Sequence, residues 1–594
     1  MTESALLTVE DLSIGYGQRA VVSELSFELA AGRCLGVIGE SGAGKSQTFL
    51  SLLGLLPPAA HVTGRARLGD VPLLSSGAAL RGRDVAMIFQ DPMTSLTPHL
   101  RVGAQIAEPL ILHRGMSRRD ARARAGLLLD QVGINDVTRR LDQYPHELSG
   151  GMRQRVMIAM ALACGPRLLI ADEPTSALDV SVQAQILALL RQLMANHRMA
   201  MAVVTHDMGV IAALADDVLV MQGGRVVERG DARQILATPR HEYTRALLAA
   251  TPRMQGALLH DTEAPRTEPA LEVRRLAVRH RLRQGWLRRP RDLVAVDDVS
   301  FGVGTGEALG IVGESGSGKS TLVRALLRLG PRPAGEVLWL GRPIQDLAGR
   351  ALRGLREDLQ IVFQDPFASL DPTMTVEECV AEPLRALRPS LSSAESARRV
   401  AGALDSVGLG ADFAARRSPT LSGGQCQRVA IARAMIVGPK LLVCDEAVSA
   451  LDVSIQAQIL ELLADIRRRE GTSLVFVSHN LAVVRRLCER VLVMYLGRIV
   501  ESGTTDTVFG APRHPYTRML LDSVPLLDAD LERARLARLA VRGEVPSAVD
   551  RPRGCEFHLR CPRAQERCAA TRPETETIDN SHRVACLRWR EPGN

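Results

Sequence analysis

Two short segments of the chain have the residue types of a phosphate-binding loop. Residues 39–46 read Gly-Glu-Ser-Gly-Ala-Gly-Lys-Ser, and residues 313–320 differ only at the fifth place, where serine replaces alanine. Glycines let successive backbone N–H groups wrap a phosphate, lysine adds a positive charge, and the last serine offers a hydroxyl to Mg²⁺. The pattern predicts two nucleoside triphosphate sites. The contact residues are Gly39, Ser41, Gly42, Gly44, Lys45 and Ser46 in the first, and Gly313, Ser315, Gly316, Gly318, Lys319 and Ser320 in the second.

An Asp-Glu pair follows an apolar run in each half of the chain. Asp172 and Glu173 follow Leu-Leu-Ile-Ala, and Asp445 and Glu446 follow Leu-Leu-Val-Cys. The chain turns at the carboxyl end of a strand, so both side chains can reach one site. The first carboxylate can organise Mg²⁺ through its waters, and the second can polarise an attacking water. Beside a phosphate-binding loop, each pair predicts hydrolysis of the bound nucleotide.

The spacing of these landmarks indicates that one module is written twice. Lys45 and Lys319 lie 274 residues apart, and Glu173 and Glu446 lie 273 apart. Self-similarity over such a distance indicates tandem duplication of a whole domain. We expect a first domain at 1–250, a linker at 251–269, a second domain at 270–510 and a C-terminal extension at 511–594. The linker contains prolines and has no apolar periodicity, which predicts an exposed segment.

Short apolar runs alternate with helical stretches within each copy. In the first copy these runs are residues 34–38, 85–89, 168–171 and 200–204. Continuous apolar runs of this length are typical of strands buried on both faces, as in a parallel sheet. The predicted fold class is therefore α/β.

The composition is that of a soluble globular chain. Of the 594 residues, 46% are hydrophobic and 24% are charged, and the sequence has neither a run of eighteen uncharged apolar residues nor a secretory leader. These features predict a cytosolic chain that does not cross a membrane itself. The net charge of +8 fits a mildly basic solvated surface better than a nucleic-acid partner.

A third repeated motif carries a family resemblance. Leu-Ser-Gly-Gly-x-x-Gln-Arg stands at 148–155 and again at 421–428. With the phosphate loops and the Asp-Glu pairs, it resembles the signature of ATP-binding cassette (ABC) ATPases. The resemblance implies two tandem domains, each with a RecA-like α/β core and a helical signature subdomain. It also implies catalytic roles for Glu173, His206, Glu446 and His479, Mg²⁺ contacts by Ser46, Gln90, Ser320 and Gln364, and ATP contacts by Tyr16, Asp172, Asp445, Ser149, Gly150, Gly151, Ser422, Gly423 and Gly424.

The same resemblance implies two composite ATP sites. A Ser-Gly-Gly turn at the start of a helix presents free N–H groups and the positive end of the helix dipole, which makes a second anion site. In the family, that turn docks on the γ-phosphate held by the opposite domain. Lys45, Glu173 and His206 would face Ser422 and Gly424, and Lys319, Glu446 and His479 would face Ser149 and Gly151. Both sets are complete, so we expect both sites to hydrolyse ATP.

The adenine positions of the two sites differ. Tyr16 precedes the first phosphate loop, where the family stacks an aromatic ring on adenine, whereas the matching residue of the second copy is His280. The smaller ring predicts weaker adenine binding at the second site.

Two further repeats resemble the dipeptide, oligopeptide and nickel importer ATPases. Phe-Gln-Asp-Pro surrounds Gln90 and Gln364, and Arg-His-x-Tyr-Thr-Arg stands at 240–245 and 513–518. Most members of that subfamily carry the two ATPases on separate chains, whereas glutathione importers and some oligopeptide importers fuse them. The resemblance implies two transmembrane permeases and an extracytoplasmic binding protein as partners, at the cytoplasmic face of the bacterial inner membrane. Di- or oligopeptides are the first expected substrates, then glutathione, then nickel or other metal chelates and peptide-like antibiotics.

Two other classes of cassette protein are alternatives. Soluble double cassettes act in translation on the ribosome, but they join their copies by a long charged helical linker, unlike residues 251–269. The His-x-Tyr segment has no use on a ribosome, so no nucleic-acid partner is expected. An exporter ATPase is the other alternative, and co-purification with permeases or ribosomes would discriminate among the classes.

The C-terminal extension carries four of the ten cysteines. Cys555, Cys561, Cys568 and Cys586 follow the pattern C-x5-C-x6-C-x17-C. Such a cluster in a cytosolic chain suggests metal binding before disulfides. The spacing lacks the C-x2-C of common zinc ribbons and resembles the ends of several peptide-importer ATPases, some of which hold a [4Fe–4S] cluster. That cluster is the first expectation, with structural zinc and unmetallated thiols as alternatives, and His558 and His582 are expected to be bystanders.

Overall fold

The computed structural model describes residues 5–176, 178–259, 269–282, 291–449, 451–538, 543, 546, 548–549, 551–579 and 581–591. The strands of the first copy are β1 (Ala5–Tyr16), β2 (Arg19–Ala30), β3 (Cys34–Ile38), β4 (Ala60–Leu68), β5 (Val71–Pro72), β6 (Val85–Ile88), β7 (Leu168–Asp172), β8 (Ala200–Thr205), β9 (Asp217–Gln222) and β10 (Arg225–Asp231). Its helices are α1 (Lys45–Leu52), α2 (Leu73–Leu80), α3 (Pro92–Ser95), α4 (Val102–Arg114), α5 (Arg118–Gln131), α6 (Val137–Leu141), α7 (Gly150–Leu162), α8 (Val180–His197), α9 (Met208–Leu214), α10 (Ala232–Ala237) and α11 (Glu242–Ala250).

The first copy contains two sheets. The larger has the order β10-β9-β3-β8-β7-β6 and is parallel except for β10, and the smaller is antiparallel with the order β2-β1-β4-β5. Every residue of β3, β7 and β8 is buried, because helices and the smaller sheet cover both faces of the larger one. The four apolar runs of the sequence form β3, β6, β7 and β8, which confirms the α/β prediction.

The second copy repeats this architecture. Its strands are β11 (Pro269–Leu282), β12 (Arg291–Gly304), β13 (Ala308–Val312), β14 (Ala334–Trp339), β15 (Arg342–Pro343), β16 (Leu359–Val362), β17 (Leu441–Asp445), β18 (Ser473–Val477), β19 (Arg490–Tyr495) and β20 (Arg498–Thr504). Its helices are α12 (Lys319–Leu326), α13 (Gly349–Asp358), α14 (Pro366–Ser369), α15 (Val376–Leu387), α16 (Ser393–Ser406), α17 (Gly423–Met435), α18 (Val453–Glu470), α19 (Leu481–Leu487) and α20 (Thr505–Gly510). The smaller sheet has the order β12-β11-β14-β15.

The C-terminal extension packs on both copies. Its elements are α21 (Pro515–Asp522), α22 (Ala529–Arg538), α23 (Glu566–Ala570), β21 (Glu576–Asp579) and β22 (His582–Val584). Strand β22 pairs antiparallel with β20, so the larger sheet of the second copy has the order β16-β17-β18-β13-β19-β20-β22-β21. Helix α22 lies instead against the first copy, where Ala529 and Leu536 join its core.

The segment after α11 differs from the exposed linker that the sequence predicts. Met254 and Leu259 pack against the core of the second copy, and the backbone N–H of Leu259 donates to the carbonyl of Arg486. Residues 260–268 of the predicted linker lie outside the described residues. Residues 251–259 are thus a mixture of half-buried and exposed positions. None of the helices within the described residues is long and apolar enough to span a bilayer.

Candidate active site

Each phosphate-binding loop follows a buried strand, β3 or β13, and ends in a helix, α1 or α12. A Cβ atom on Gly39 would lie 2.2 Å from the carbonyl oxygen of Met221, and one on Gly313 would lie 2.3 Å from that of Met494. Gly44 and Gly318 have φ of 91° and 101° at the position before the helix. These positions require glycine, because a side chain would clash with the neighbouring strand or strain the backbone.

The lysine of each loop lies inside it. The Nζ atom of Lys45 donates to the carbonyls of Gly39 and Glu40 at 2.6 and 2.9 Å. Lys319 makes the equivalent bonds to Gly313 and Glu314, at 2.7 and 3.1 Å. Burial lowers the pKa of Lys45, with nearby carboxylates opposing the effect. The loop therefore holds a charged group at its centre, where it can meet a phosphate.

A serine hydroxyl and an aspartate lie together beside each loop. Ser46 Oγ donates to Asp172 Oδ1 at 2.9 Å, and Ser320 Oγ donates to Asp445 Oδ1 at 3.1 Å. Burial raises the pKa of both aspartates, while the serine hydrogen bond opposes it. Hydroxyl and carboxylate oxygens are the donors that Mg²⁺ prefers, so the chemistry of this pair fits the ion.

Glu173 is the centre of a hydrogen-bonded group at the end of β7. Its carboxylate accepts from Gln90 Nε2 at 2.8 Å and Ser176 Oγ at 2.7 Å, and lies 3.0 Å from His206 Nδ1. Burial raises the pKa of Glu173, but the hydrogen bonds and the charge of His206 outweigh it and lower the pKa to about 2. The backbone φ of Glu173 is 46°, a conformation that non-glycine residues adopt at a cost.

Glu446 has the same glutamine contact as Glu173 and a longer histidine contact, and Ser449 donates to its backbone carbonyl instead of its carboxylate. It accepts from Gln364 Nε2 at 2.8 Å, while His479 Nδ1 lies 3.6 Å from Oε2 and Lys319 Nζ lies 3.9 Å from Oε1. Its φ is 51°. Burial raises the pKa of Glu446, and His479 outweighs that effect, so the carboxyl stays ionised. Each copy thus brings together its predicted carboxylate, glutamine and histidine.

The Ser-Gly-Gly turns cap the helices α7 and α17. Ser149 accepts a hydrogen bond from the Met152 amide, and Ser422 accepts one from the Gln425 amide, both at 3.3 Å. A Cβ atom on Gly151 would lie 2.6 Å from Val182 Cγ1. The equivalent atom on Gly424 would lie 2.5 Å from Ile455. Close packing of the turn against the next helix therefore requires glycine at these positions.

Contacts between the copies join the loops across the molecule. Ser41 donates to Asp452 through Oγ at 2.9 Å and through its amide at 3.2 Å. Ser315 donates to Asp179 through its amide at 2.7 Å and through Oγ at 3.0 Å. Burial raises the pKa of Asp179, although Lys319 and His479 oppose it. The two aspartates directly precede α8 and α18, and each binds the phosphate loop of the other copy.

The second phosphate loop also faces the first Ser-Gly-Gly turn across a cavity. This cavity has a volume of about 180 Å³, and its lining includes Ser149, Gly150, Gly151, Glu314 and Ser315. Ser454 donates to Glu40 at 2.6 Å, and Ser181 makes the matching hydrogen bond to Glu314. The copies therefore lie head to tail, with each nucleotide loop next to the opposite copy.

Tyr16 and His280, the residues predicted to contact adenine, occupy equivalent places. Tyr16 pairs with Arg19 at the end of β1, and His280 pairs with Leu293 at the matching register of β11. Both side chains are half-buried. Tyr16 Oη donates to Gln47 Oε1 at 2.7 Å, which fixes the ring beside the first loop.

Two tyrosines contribute contacts that the sequence did not assign to a site. The backbone N–H of Glu40 donates to Tyr243 Oη at 3.0 Å, and that of Glu314 donates to Tyr516 Oη at 2.8 Å. Each tyrosine belongs to a repeated His-x-Tyr segment, whose recurrence at the end of both copies was the available signal. The segment therefore orders the phosphate loop of its own copy.

The four cysteines of the extension line one small cavity. Its volume is about 20 Å³, and Cys555, Cys561, Cys568 and Cys586 all contact it. Burial raises the pKa of Cys555 to about 12, and it also raises the pKa of Cys561 and Cys586. Four thiols suit iron or zinc by donor type. Among the described residues, however, no group of three or more His, Cys, Asp or Glu side chains is arranged to hold a metal ion.

Comparisons with known proteins match most of the chain. The ABC transporter model matches residues 22–176 and 296–449, and the model of the oligopeptide/dipeptide transporter C-terminal region matches residues 227–276 and 500–568. The glutathione import ATP-binding protein GsiA of Escherichia coli O157:H7 is 48% identical over 92% of this chain and 93% of the relative. The proteins of the same name from Shigella dysenteriae and Escherichia coli K12 match to the same extent. A solved dimeric ATP-binding cassette with ADP and Pi is 30% identical, covers 40% of this chain and 98% of that chain, and has a TM-score of 0.36.

Proposed function

Because the chain belongs to the ABC transporter family, as an ATP-hydrolysing subunit of the peptide-importer type, we propose that it energises uptake of glutathione or a closely related short peptide. The observation that carries this substrate is similarity along 92% of the chain, at 48% identity, to proteins named for glutathione import. The fusion of two cassettes in one chain also agrees with this substrate, because the resemblance implies such fusion for glutathione importers. Import of other di- or oligopeptides, or of nickel or other metal chelates, is the alternative within the same family.

We also propose that both composite sites hydrolyse ATP. Lys45 and the loop amides bind the phosphates, and Ser46, Gln90 and Asp172 hold Mg²⁺, which neutralises phosphate charge when bound. Glu173 orients the attacking water through its ionised carboxylate, and His206 fixes that carboxylate from its other side. The first site is completed by Ser422 and Gly424 of the other copy. The second site uses the equivalent residues Lys319, Ser320, Gln364, Asp445, Glu446 and His479, completed by Ser149 and Gly151.

Importer ATPases in general act with two membrane permeases and an extracytoplasmic binding protein that selects the substrate. We propose partners of these kinds for this chain. Support for permease docking comes from exposed apolar side chains beside the two glutamines. Phe89 directly precedes Gln90, Met93 follows it by three residues, and Phe367 follows Gln364 by three residues; all three side chains are exposed. Exposed apolar patches of this kind favour a protein interface. The chain would then lie on the cytoplasmic face of the bacterial inner membrane.

Reconstitution of the chain with its permeases and binding protein in liposomes tests this function. Wild-type complex should take up labelled glutathione only with ATP and Mg²⁺ inside. Glu173→Gln with Glu446→Gln should retain ATP binding but reduce hydrolysis by about 10²- to 10⁴-fold, because only the water-polarising groups are lost. Hydrolysis near the wild-type rate in the double variant would refute these catalytic roles. Uptake of dipeptides but not of glutathione would reject the substrate and leave the ATPase assignment standing.

We further propose that the four cysteines of the extension bind a metal centre, with a [4Fe–4S] cluster as the first candidate. The convergence of four thiols on one cavity supports it, and so does the resemblance to cysteine-bearing importer ATPases. A small extension with little apolar core also gains most from such a centre. The cysteines would have to move closer together to ligate it, since the described residues contain no preformed ligand group.

Metal analysis of anaerobically purified protein tests this proposal. We expect about four irons per chain, the number that a [4Fe–4S] cluster contains. Cys561→Ser should remove them, whereas the control Cys164→Ser, in the first copy, should retain them. Stoichiometric zinc would select a structural zinc site instead. Absence of both metals from anaerobic preparations would leave the four cysteines as ordinary thiols.

A further inference from the structure

One arginine of the cysteine-containing extension reaches the second phosphate-binding loop. Arg560 Nη1 and Nη2 donate to the two carboxylate oxygens of Glu314 at 2.6 and 2.9 Å. Both side chains are only 2% exposed. Glu314 is the second residue of the loop, directly after Gly313, so this bidentate ion pair links the extension to the residues that bind phosphate.

The first phosphate-binding loop has no such link. Glu40, the equivalent residue, accepts a hydrogen bond from Ser454, as Glu314 accepts one from Ser181. Among the described residues, no arginine or lysine forms an ion pair with Glu40, and its side chain is only half-buried. The two sites share their serine contact and differ in the arginine.

The position of Arg560 is fixed by the fold of the extension. It lies next to Cys561 in the loop that starts at Cys555, whose amide donates to the carbonyl of Cys568 at 2.8 Å. The guanidinium carbon lies 5.9 Å from the ring centres of both Tyr495 and Phe557. Burial lowers the pKa of Arg560, but the hydrogen bonds to Glu314 outweigh it, so the group stays charged.

A buried carboxylate beside a phosphate site needs a counter-charge. Without one, Glu314 would repel the phosphates of ATP and would also leave a buried charge unpaired, which is costly in proteins. Arg560 supplies the counter-charge and lines the same cavity as Ser149, Gly151 and Ser315. The charge balance of the second site therefore depends on a residue outside both ATPase domains.

We propose that Arg560 is a positioning residue of the second ATP site, and that the four-cysteine extension thereby controls nucleotide affinity at this site alone. The proposal rests on the proposed function only in that both loops bind ATP. It does not depend on which metal, if any, the cysteines hold, because any change that unfolds the loop around Cys561 withdraws Arg560 from Glu314.

Binding of a fluorescent ATP analogue to the full-length chain tests the proposal. Lys45→Ala disables the first site, so binding reports on the second, and Lys319→Ala disables the second site, so binding reports on the first. Arg560→Met should raise the Kd of the second site by about tenfold or more, because it leaves the carboxylate of Glu314 unpaired. In the Lys319→Ala background the same substitution should change the Kd by less than about twofold. An equal effect at both sites, or none at the second, would overturn the proposal.

A rescue variant separates charge balance from simple misfolding. Glu314→Gln removes the charge that Arg560 neutralises, so the double variant Arg560→Met with Glu314→Gln should recover a Kd within about threefold of the parent. Damage to the fold would not be rescued in this way, and failure of the rescue would overturn the role of Arg560. Phe557→Ala, which removes a buried ring from the loop that carries Arg560, should reproduce the loss at the second site, and unchanged affinity there would overturn the link to the extension. If neither site of the unsubstituted chain bound the analogue, the ATPase function itself would fall together with this inference.

Discussion

Glu173 and Glu446 illustrate what residue types and spacing can predict. An Asp-Glu pair after an apolar run, near a phosphate-binding loop, pointed to both glutamates, whereas only the family resemblance pointed to their histidines. The positive φ of each glutamate could not be predicted, because it depends on how the strand ends against β8 or β18. That strained backbone directs the carboxylate toward glutamine and histidine partners from distant segments.

The pairing of His206 with Glu173 predicts a measurable rise in the pKa of His206. The pKa of His206 is raised above 6.5, since burial lowers it but Glu173 outweighs that effect. The stabilising contribution of a raised histidine is full below its unfolded pKa of about 6.5 and is lost as pH rises through the folded value. Glu173, with a pKa of about 2, remains ionised throughout this window.

Histidine-labelled NMR measures this shift directly. The His206 ring, assigned by loss of its signal in His206→Gln, should titrate above pH 6.5 in the wild-type chain. In Glu173→Gln its midpoint should fall, because the charge partner is gone while burial remains. A midpoint below 6.5 in the wild-type chain would contradict the ion pair.

The contacts of Asp179 and Asp452 could not be predicted from the sequence. Their hydrogen bonds to Ser315 and Ser41 join residues 136 and 411 positions apart. Periodicity and motif spacing carry no information on such contacts, because these depend on how two complete domains dock. The tyrosines of the His-x-Tyr segments escaped prediction because their contacts join residues 203 and 202 positions apart, which only the tertiary fold brings together.

At the scale of elements, α22 has a position that its own sequence does not specify. It belongs to the extension after the second copy, yet Leu536 is buried in the core of the first. Arg533 reinforces the contact through hydrogen bonds to Asp216 and to the Ala215 carbonyl. An amphipathic helix indicates that one face will be buried, and it does not indicate which core will receive it. The apolar strands, in contrast, were predictable because their burial is local to each domain.

Two leucines of α22 provide a matched pair for testing this contact. Leu536→Ala should destabilise the docked helix by about 2–5 kcal/mol, because it leaves a cavity in the core of the first copy. Leu531→Ala should have little effect, since Leu531 is 60% exposed and Leu536 only 4%. Hydrogen exchange of α9, against which α22 packs, should accelerate in the first variant and stay unchanged in the second. Equal exchange in both variants would mean that α22 does not dock on the first copy.

At the scale of the whole molecule, the two copies exchange their terminal segments. Residues after α11 pack on the second copy, while α22 packs on the first. Each phosphate-binding loop likewise contacts the opposite copy, through the pairs Ser41–Asp452 and Ser315–Asp179. Fusion of the two cassettes in one chain would keep the halves of each proposed composite site at high effective concentration.

ATP hydrolysis by a chain with one silenced glutamate tests the composite sites most directly. In Glu173→Gln, the remaining activity should come from Glu446, whose site is completed by Ser149 of the other copy. Adding Ser149→Ala should therefore lower that activity by about tenfold or more, because the turn that meets the γ-phosphate is weakened. Adding Ser422→Ala, which belongs to the silenced site, should change it by less than about twofold. Loss of activity with Ser422→Ala and retention with Ser149→Ala would mean that each copy completes its own site, and would contradict the account.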